Sequence, residues 1–405
     1  MNRGSLVVIE THPVLHHASM YRVLQAEFGI SATVIYGSDF SVARPQDDES
    51  GATLAWDADL ISGYAAIFLS RVADGGARTN VGVTTRGLRA TLRAAAPNAV
   101  MLVGHSLSFH RRAFLTAYRA GYPILYRGET TDHGHRSNGL KDWARDKALR
   151  WFYQRCDRLL YVGQRSHEHF QRLGCPENKL MFSPYGVDTT PFQCDERSRE
   201  RLRGPTRAAL KIGSDKSVIL FSGNLSKHQG PDLLLRAVKQ LPAGGHDRIV
   251  VLFLGSGDFQ SELQVLAQQP PAVITHFLGF QNRNELSKYY HAADLLALPS
   301  VQQEDWGAVV NVALHHGLPC VVSTMVGCAA DLIESGVTGE VFETGSERDL
   351  ATAIEKLLPL VEQPATRAAC RAKMSGHTTE KGAQGVAEAF SSTIIGAKQS
   401  AAHCS

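Results

Sequence analysis

The chain of 405 residues is 43% hydrophobic and 20% charged, with a net charge of +3 and a sequence pI near 8.4. This is an ordinary globular composition, long enough for two domains that each bury a core, and it carries no nucleic-acid signature. Seven cysteines spread singly exclude a disulfide framework or a zinc site; no run is long enough for a signal peptide or a membrane span, so a cytoplasmic protein is expected.

Ser5 to Glu10 reads as a buried strand, the segment after His12, His16 and His17 as a helix, and Ala32 to Tyr36 as a second strand. That order opens a doubly wound sheet. No G-x-G-x-x-G follows the first strand, which counts against a dinucleotide oxidoreductase. Residues 37–64 read as a polar surface excursion. Alternation then resumes, with strands at 65–70, 98–104 and 123–128 and helices around 84–96 and 112–120. Each strand ends in a polar loop, and those loops hold His105 and Glu129, acid/base candidates whose alternative duty is salt bridging or capping. His12, His16 and His17 have no partner acid or cysteine set at metal-ligand spacing, so no metal is expected.

Residues 140–156 form a basic amphipathic helix. Lys141, Arg145, Lys147 and Arg150 are placed partly on one face, and Trp143, Leu149, Trp151 and Phe152 on the other. It is either a solvated helix packed on the sheet or a peripheral membrane contact. Strand 158–163, helix 167–173 and the segment 179–192 follow. The polar run at 196–205 reads as a linker between domains 1–195 and 206–375. A second set of α/β units begins at residue 217, and residues 336–345 read as a hairpin-like loop.

The stretch PSVQQEDWGAVVNVALHHGLPCVVSTMVGCAAD (299–331) reads as an acidic loop, a helix, a buried strand and a small-residue loop. In α/β proteins such a carboxyl edge of a parallel sheet binds ligands. Glu304 sits just before the helix, where the dipole favours a carboxylate; it could accept hydrogen bonds from sugar hydroxyls or simply cap the helix. The turn Gly223–Gly230 directs backbone amides toward a diphosphate. Val326, Gly327 and Cys328 form a small turn that allows close backbone approach, with Cys328 a packing residue rather than a nucleophile.

Glu304, Trp306, Gly307, Ala313, Gly317 and Pro319 match, in register, the pattern E-x-F/W-G-x-x-x-x-E-A-x-x-x-G-x-P, and Ser183-Pro184-Tyr185-Gly186-Val187-Asp188 with Phe192 keeps a second, with Tyr185 in place of its usual Asn. The chain thereby resembles family 4 (group 1) glycosyltransferases of the GT-B fold. The resemblance implies two Rossmann-like domains facing across a cleft, with the last segment, 376–405, crossing back to the first domain. It implies a retaining transferase that moves a sugar from a nucleotide-sugar donor to an acceptor hydroxyl without a metal or other cofactor. The first domain would hold the acceptor, a glycan, lipid-linked or small molecule. The second would hold the donor through Gly223, Asn224, Gln229, Glu304, Trp306, Gly307, Val326, Gly327 and Cys328, with Phe280 framing the base. The chain departs from the pattern at three positions. Asn224 and Gln229 stand where the resemblance places cations, and Val312 stands where it places a ribose-binding glutamate. Leaving-group charge would then be met by backbone amides and Lys227. The alternative is a GT-B protein with an altered donor, or one that has lost transfer and acts as a binding module.

Overall fold

The computed structural model describes residues 4–43, 59–104, 108–132, 139–242 and 245–403. Two compact units divide it, one made of Met1–Gly186 with Thr378–Ser405 and the other of Val187–His377. Both are parallel sheets covered by helices, as the strand-helix alternation requires, because a parallel crossover needs a covering element.

The first unit runs β1 (Gly4–Glu10), α1 (Leu15–Ala26), β2 (Ile30–Tyr36), β3 (Ala65–Phe68), α2 (Leu88–Ala95), β4 (Ala99–Val103), α3 (Ser108–Arg119), β5 (Ile124–Gly128), α4 (Gly139–Gln154), β6 (Arg158–Tyr161), α5 (Gln164–Arg172) and β7 (Leu180–Phe182). Its seven strands lie in the order β3-β2-β1-β4-β5-β6-β7, all parallel. Alternate side chains of a strand face opposite sides of a sheet. Val7 and Ile9 accordingly join one buried core with Phe109, Phe114 and Tyr153. Leu6 and Val8 join another with Tyr21, Val386 and Phe390. The last two belong to the C-terminal helix α14 (Thr379–His403), which packs on α1 and β7.

The second unit comprises α6 (Glu196–Ala209), β8 (Ser217–Ser222), α7 (Pro231–Lys239), β9 (Ile249–Leu254), α8 (Gln260–Gln268), β10 (Ile274–Gly279), α9 (Arg283–Ala292), β11 (Leu295–Leu298), α10 (Ala308–His315), β12 (Cys320–Ser323), α11 (Ala329–Leu332), β13 (Gly339–Phe342), α12 (Glu347–Leu357) and α13 (Pro364–Lys373). Its six strands follow the order β10-β9-β8-β11-β12-β13, again all parallel. In each sheet the strand order reverses once, beside β1 and beside β8, and such switch points open a crevice at the carboxyl ends of the strands.

Several expectations are corrected. The hairpin-like loop at 336–345 contains β13, which pairs in parallel with β12. The polar excursion at 37–64 lies largely outside the described residues. The run at 196–205 is no linker but most of α6, and the chain passes from one unit to the other at residues 186–187. Its polar composition misled because its arginines are partnered. Arg207 Nη2 donates to the Asp294 carboxylate at 2.7 Å, Arg203 donates to the other carboxylate oxygen, and Arg203 also takes the last carbonyls of α9. On α4, about 100° per residue sets Trp151 roughly opposite the buried Leu149 and Tyr153 and turns Trp143 about 80–120° away from them, so both tryptophans fall on the exposed side with Lys147 and Arg150. No helix among the described residues is long and apolar enough to cross a membrane.

Asp294 also accepts from the Val218 N–H at 2.7 Å, so this one buried carboxylate ties α6 to the start of β8. Removing it strands two largely buried guanidinium groups. Asp294→Ala is expected to lose about 3–5 kcal/mol in urea unfolding; a loss under about 1 kcal/mol would show that α6 does not depend on this pair.

Candidate functional site

In the second unit, the loops that follow β8, β11 and β12 meet at one edge. The Val301 N–H donates to the His228 carbonyl at 2.9 Å, and His228 Nε2 donates to the Gln303 carbonyl at 3.1 Å. The Glu304 N–H reaches the Met325 carbonyl at 3.1 Å, Gly327 N–H returns to the Glu304 carbonyl at 2.9 Å, and Cys328 N–H reaches the Trp306 carbonyl at 2.9 Å. This stitching requires glycine at 327, where a Cβ would stand 1.9 Å from the Asp305 carbonyl oxygen. The loops are thereby locked to each other.

Glu304 sits where these loops converge. Gln229 Nε2 and Ser300 Oγ both donate to its Oε2 at 3.2 Å, while Oε1 makes no hydrogen bond among the described residues. The carboxylate therefore does not cap α10, whose N-cap is Gly307 with no side-chain bond. The amide oxygen of Gln229 is buried and unpartnered, and it faces Gly223, where a Cβ would come within 2.3 Å of it. Asn224 is exposed beside the turn after β9. Phe280 follows β10 with its ring 45% exposed, a surface on which a planar group could stack.

The other expected site residues are placed as follows. Lys227 is 76% exposed, with its Nζ 3.9 Å from Glu262 and over the Phe259 ring, so it is drawn toward α8 rather than toward Gln229 and Glu304. Trp306 is buried, and its Nε1 donates to Asn311 Oδ1 at 2.8 Å. Val326 and Cys328 are buried against Gly307. These three side chains are packing, and only the backbone of their loops reaches the edge. Val312 is buried on α10, and Asn311 beside it is turned inward to Trp306, so neither presents a polar group at this edge.

The first unit carries a second constellation at the carboxyl ends of β1, β5 and β7. Glu10 ends β1, His16 and His17 occupy the first turn of α1, and Arg127 and Glu129 lie at the end of β5. His17 Nδ1 lies 2.8 Å from Glu10 Oε1, to which the Tyr21 hydroxyl also donates. Arg127 donates to His17 Nε2 at 3.2 Å and to Ser183 Oγ and the 183–184 carbonyls. His16 Nδ1 bonds the Tyr185 hydroxyl at 2.8 Å, and its Nε2 lies 3.7 Å from Glu129 Oε1. Of the two first-domain acid/base candidates, Glu129 is thus placed in a cluster, and His105 lies outside the described residues. Glu10, Arg127 and Tyr185 were missed as partners; the available signal was a carboxylate ending an apolar strand.

His16, His17 and Glu129 also bring one ligand atom each within 4.8 Å of one another, a grouping the histidine spacing did not anticipate. The 2% exposed Arg127 competes for it, because its N–H occupies the His17 Nε2 lone pair and its charge sits beside the set. What the geometry offers is proton chemistry. Burial, then the neighbouring His17, pushes the His16 imidazole down to about 4 against the opposing pull of Glu129. Burial alone would raise the Glu129 carboxyl, but His16, His17 and Arg127 hold it down to about 2. At neutral pH the pair is therefore an uncharged imidazole beside a carboxylate.

Comparison with known proteins adds to this geometry. Residues 203–373 match the family model described as glycosyl transferases group 1, and residues 53–191 match that of Glycosyltransferase Family 4. An uncharacterized glycosyltransferase of Methanocaldococcus jannaschii is 28% identical over 209 residues, 51% of this chain and 52% of that one. A D-inositol 3-phosphate glycosyltransferase of Corynebacterium aurimucosum is 31% identical over 197 residues, 47% of this chain and 45% of that one. The chain spans about half the length of the curated relatives it matches. The structure of HepE of Anabaena in complex with UDP and glucose superposes with a TM-score of 0.67 at 18% identity, covering 96% of this chain and 100% of that one, which establishes the fold.

The depressed His16 pKa has a consequence for stability. In the unfolded chain this histidine takes up a proton near pH 6.5, and in the folded protein only near 4. Its contribution, on the order of 3 kcal/mol, is therefore present above pH 6.5 and lost as the pH falls toward 4. The melting temperature is expected to fall between pH 7 and pH 5, and His16→Gln to fall by less over the same interval. Equal pH slopes would remove His16 from this role.

Proposed function

We propose, for a chain that belongs to the group 1 and family 4 glycosyltransferases, that it moves a sugar from a nucleotide-sugar donor to an acceptor hydroxyl with retention at the anomeric carbon. One observation carries this reading. Glu304 stands at the convergence of three strand-end loops with one carboxylate oxygen held by Gln229 and Ser300 and the other open to accept sugar hydroxyls. The exposed Phe280 ring offers a stacking surface for a base at the same sheet edge. A nucleoside diphosphate as leaving group is supported by the UDP and glucose held by the Anabaena structure.

In the reaction the bond from the anomeric carbon to the diphosphate oxygen breaks, and one forms to the acceptor oxygen. The acceptor proton leaves with the diphosphate or with a carboxylate. Orientation of the sugar falls to Glu304, and Gln229 positions that carboxylate. Leaving-group charge is met by backbone N–H donors at the starts of α7 and α10. Glu129, ionised and paired with an uncharged His16, is the acid/base pair of the first unit for an acceptor hydroxyl.

A second reading has an observation of its own. Gln229 is neutral, Lys227 turns to Glu262 and Val312 is buried, so this edge lacks side-chain cations among the described residues. That favours a site that binds without transfer, or one with a donor of lower charge.

Thermal shift with UDP, GDP, ADP and their sugar conjugates, followed by a transfer assay with the stabilising donor, separates the readings. We expect one nucleotide to stabilise the chain, and Glu304→Ala to lower transfer about 10- to 100-fold through loss of a charged hydrogen bond. Unchanged turnover in that variant would remove Glu304 from the reaction. Gln229→Lys that gains nucleotide affinity while the wild type transfers nothing would favour the binding module.

A further inference from the structure

Between helices α3 and α4 of the first unit lies a half-open pocket of about 260 Å³, lined by His110, Phe114, Leu115, Ala148, Trp151 and Phe152, with Arg111 also contributing. It exceeds the roughly 150 Å³ that suffices to admit a benzene ring in an apolar cavity. Trp151 is both a wall of this cavity and 43% exposed, and Trp143, two turns earlier on the same side of α4, is 63% exposed. Leu140 and Tyr118 are exposed on the same two helices. Exposed apolar surface that gathers beside a pocket marks an interaction site, and tryptophan and tyrosine favour the level of lipid headgroups.

The charge around this cavity has one sign. Helix α3 has three arginines and no acid, and α4 has four cations against two acids, a surplus of five where the whole chain has only +3. Neither acid of α4 is without a partner; Asp146 is held by Arg172 and Arg145. Arg111, Arg112 and Arg150 make no ion pair among the described residues. Lys147 lies over the Trp143 ring at 5.0 Å, and Arg155 stacks on Trp151 at 4.1 Å, so the cations and the aromatic rings form one surface. Long cationic side chains of this kind rest their stems on apolar surface and lift their charges to the headgroup level.

We propose that the α3–α4 face docks on an anionic lipid bilayer, with an acyl chain entering the cavity beside Trp151. The cations meet lipid phosphates, Trp143 and Trp151 sit at the interface, and Phe114 and Phe152 receive the apolar chain. The docking does not rest on the transfer reaction, since it requires neither donor nor acceptor sugar. If both hold, the acceptor is lipid-linked.

The test is flotation of the full chain with vesicles of equal parts phosphatidylglycerol and phosphatidylcholine, and with phosphatidylcholine alone, with no nucleotide present. Binding is expected only to the anionic vesicles, weakening as salt rises. The double variant Trp143→Ser/Trp151→Ser, with its fold checked by melting temperature, is expected to bind about tenfold or more weakly. Nitroxide placed on the acyl chains is expected to quench the tryptophan fluorescence of the wild type, and Ala148→Phe, which fills the cavity from an exposed position, to abolish the part contributed by Trp151. Absence of binding to anionic vesicles, or equal binding by the double variant, overturns the proposal. So does capture of a single-stranded oligonucleotide in place of vesicles, a ligand that the same cations and rings could stack. Quenching unchanged by Ala148→Phe overturns the acyl site.

Discussion

The backbone hydrogen bonds that join residues 304–306 to residues 325–328 determine what the second unit can present to a ligand. They place Glu304 by its main chain, so the carboxylate is aimed before any ligand arrives, and its remaining freedom is removed by Gln229 and Ser300. A site oriented in advance loses less on binding than one that must be ordered. The same bonds explain why Trp306, Val326 and Cys328 are buried: a loop clamped on both sides has little room to turn large side chains outward.

In the first unit the governing term is electrostatic. Glu10 and Glu129 are two carboxylates in largely buried surroundings, and the Arg127 guanidinium stands beside Glu129. The two histidines stand beside these carboxylates, His17 2.8 Å from Glu10 and His16 3.7 Å from Glu129, and His16 is uncharged because a proton there is opposed by burial and by His17. Arg127 also holds the end of β7 through Ser183, and Ser183 Oγ donates to the Gly382 carbonyl of α14 at 2.9 Å. Strand ends and terminal helix are thus joined through one residue, and the polar cluster is structural and chemically poised at once.

Most of the architecture was legible in the chain. Buried strands such as Ser217–Ser222 and Ile249–Leu254 read as apolar runs, and the turns after them read from Gly223 and Gly255. The errors have specific causes. Residues 196–205 looked like a linker because polarity was taken for solvation, whereas Arg203 and Arg207 find Asp294 some ninety residues away. Residues 339–342 looked like a hairpin because a four-residue edge strand has too short a period to announce its parallel partner. Trp143 and Trp151 were assigned to the packed face of α4 by hydrophobicity, although helical geometry alone turns both away from Leu149.

The sequence by itself determined the two α/β units, the small-residue loops at strand ends and the register of Glu304. Those properties follow from local rules: strand and helix periods, backbone sterics at glycine, and the burial of apolar runs. The tertiary structure alone decided which way polar side chains point. Lys227 goes to Glu262, Gln229 to Glu304, and His16 and His17 to Glu129 and Glu10, because each direction is set by partners from other strands and helices. The spacing of a single segment carries no record of those partners. Packing brings them together, and hydrogen bonding and charge then choose among the rotamers that packing allows.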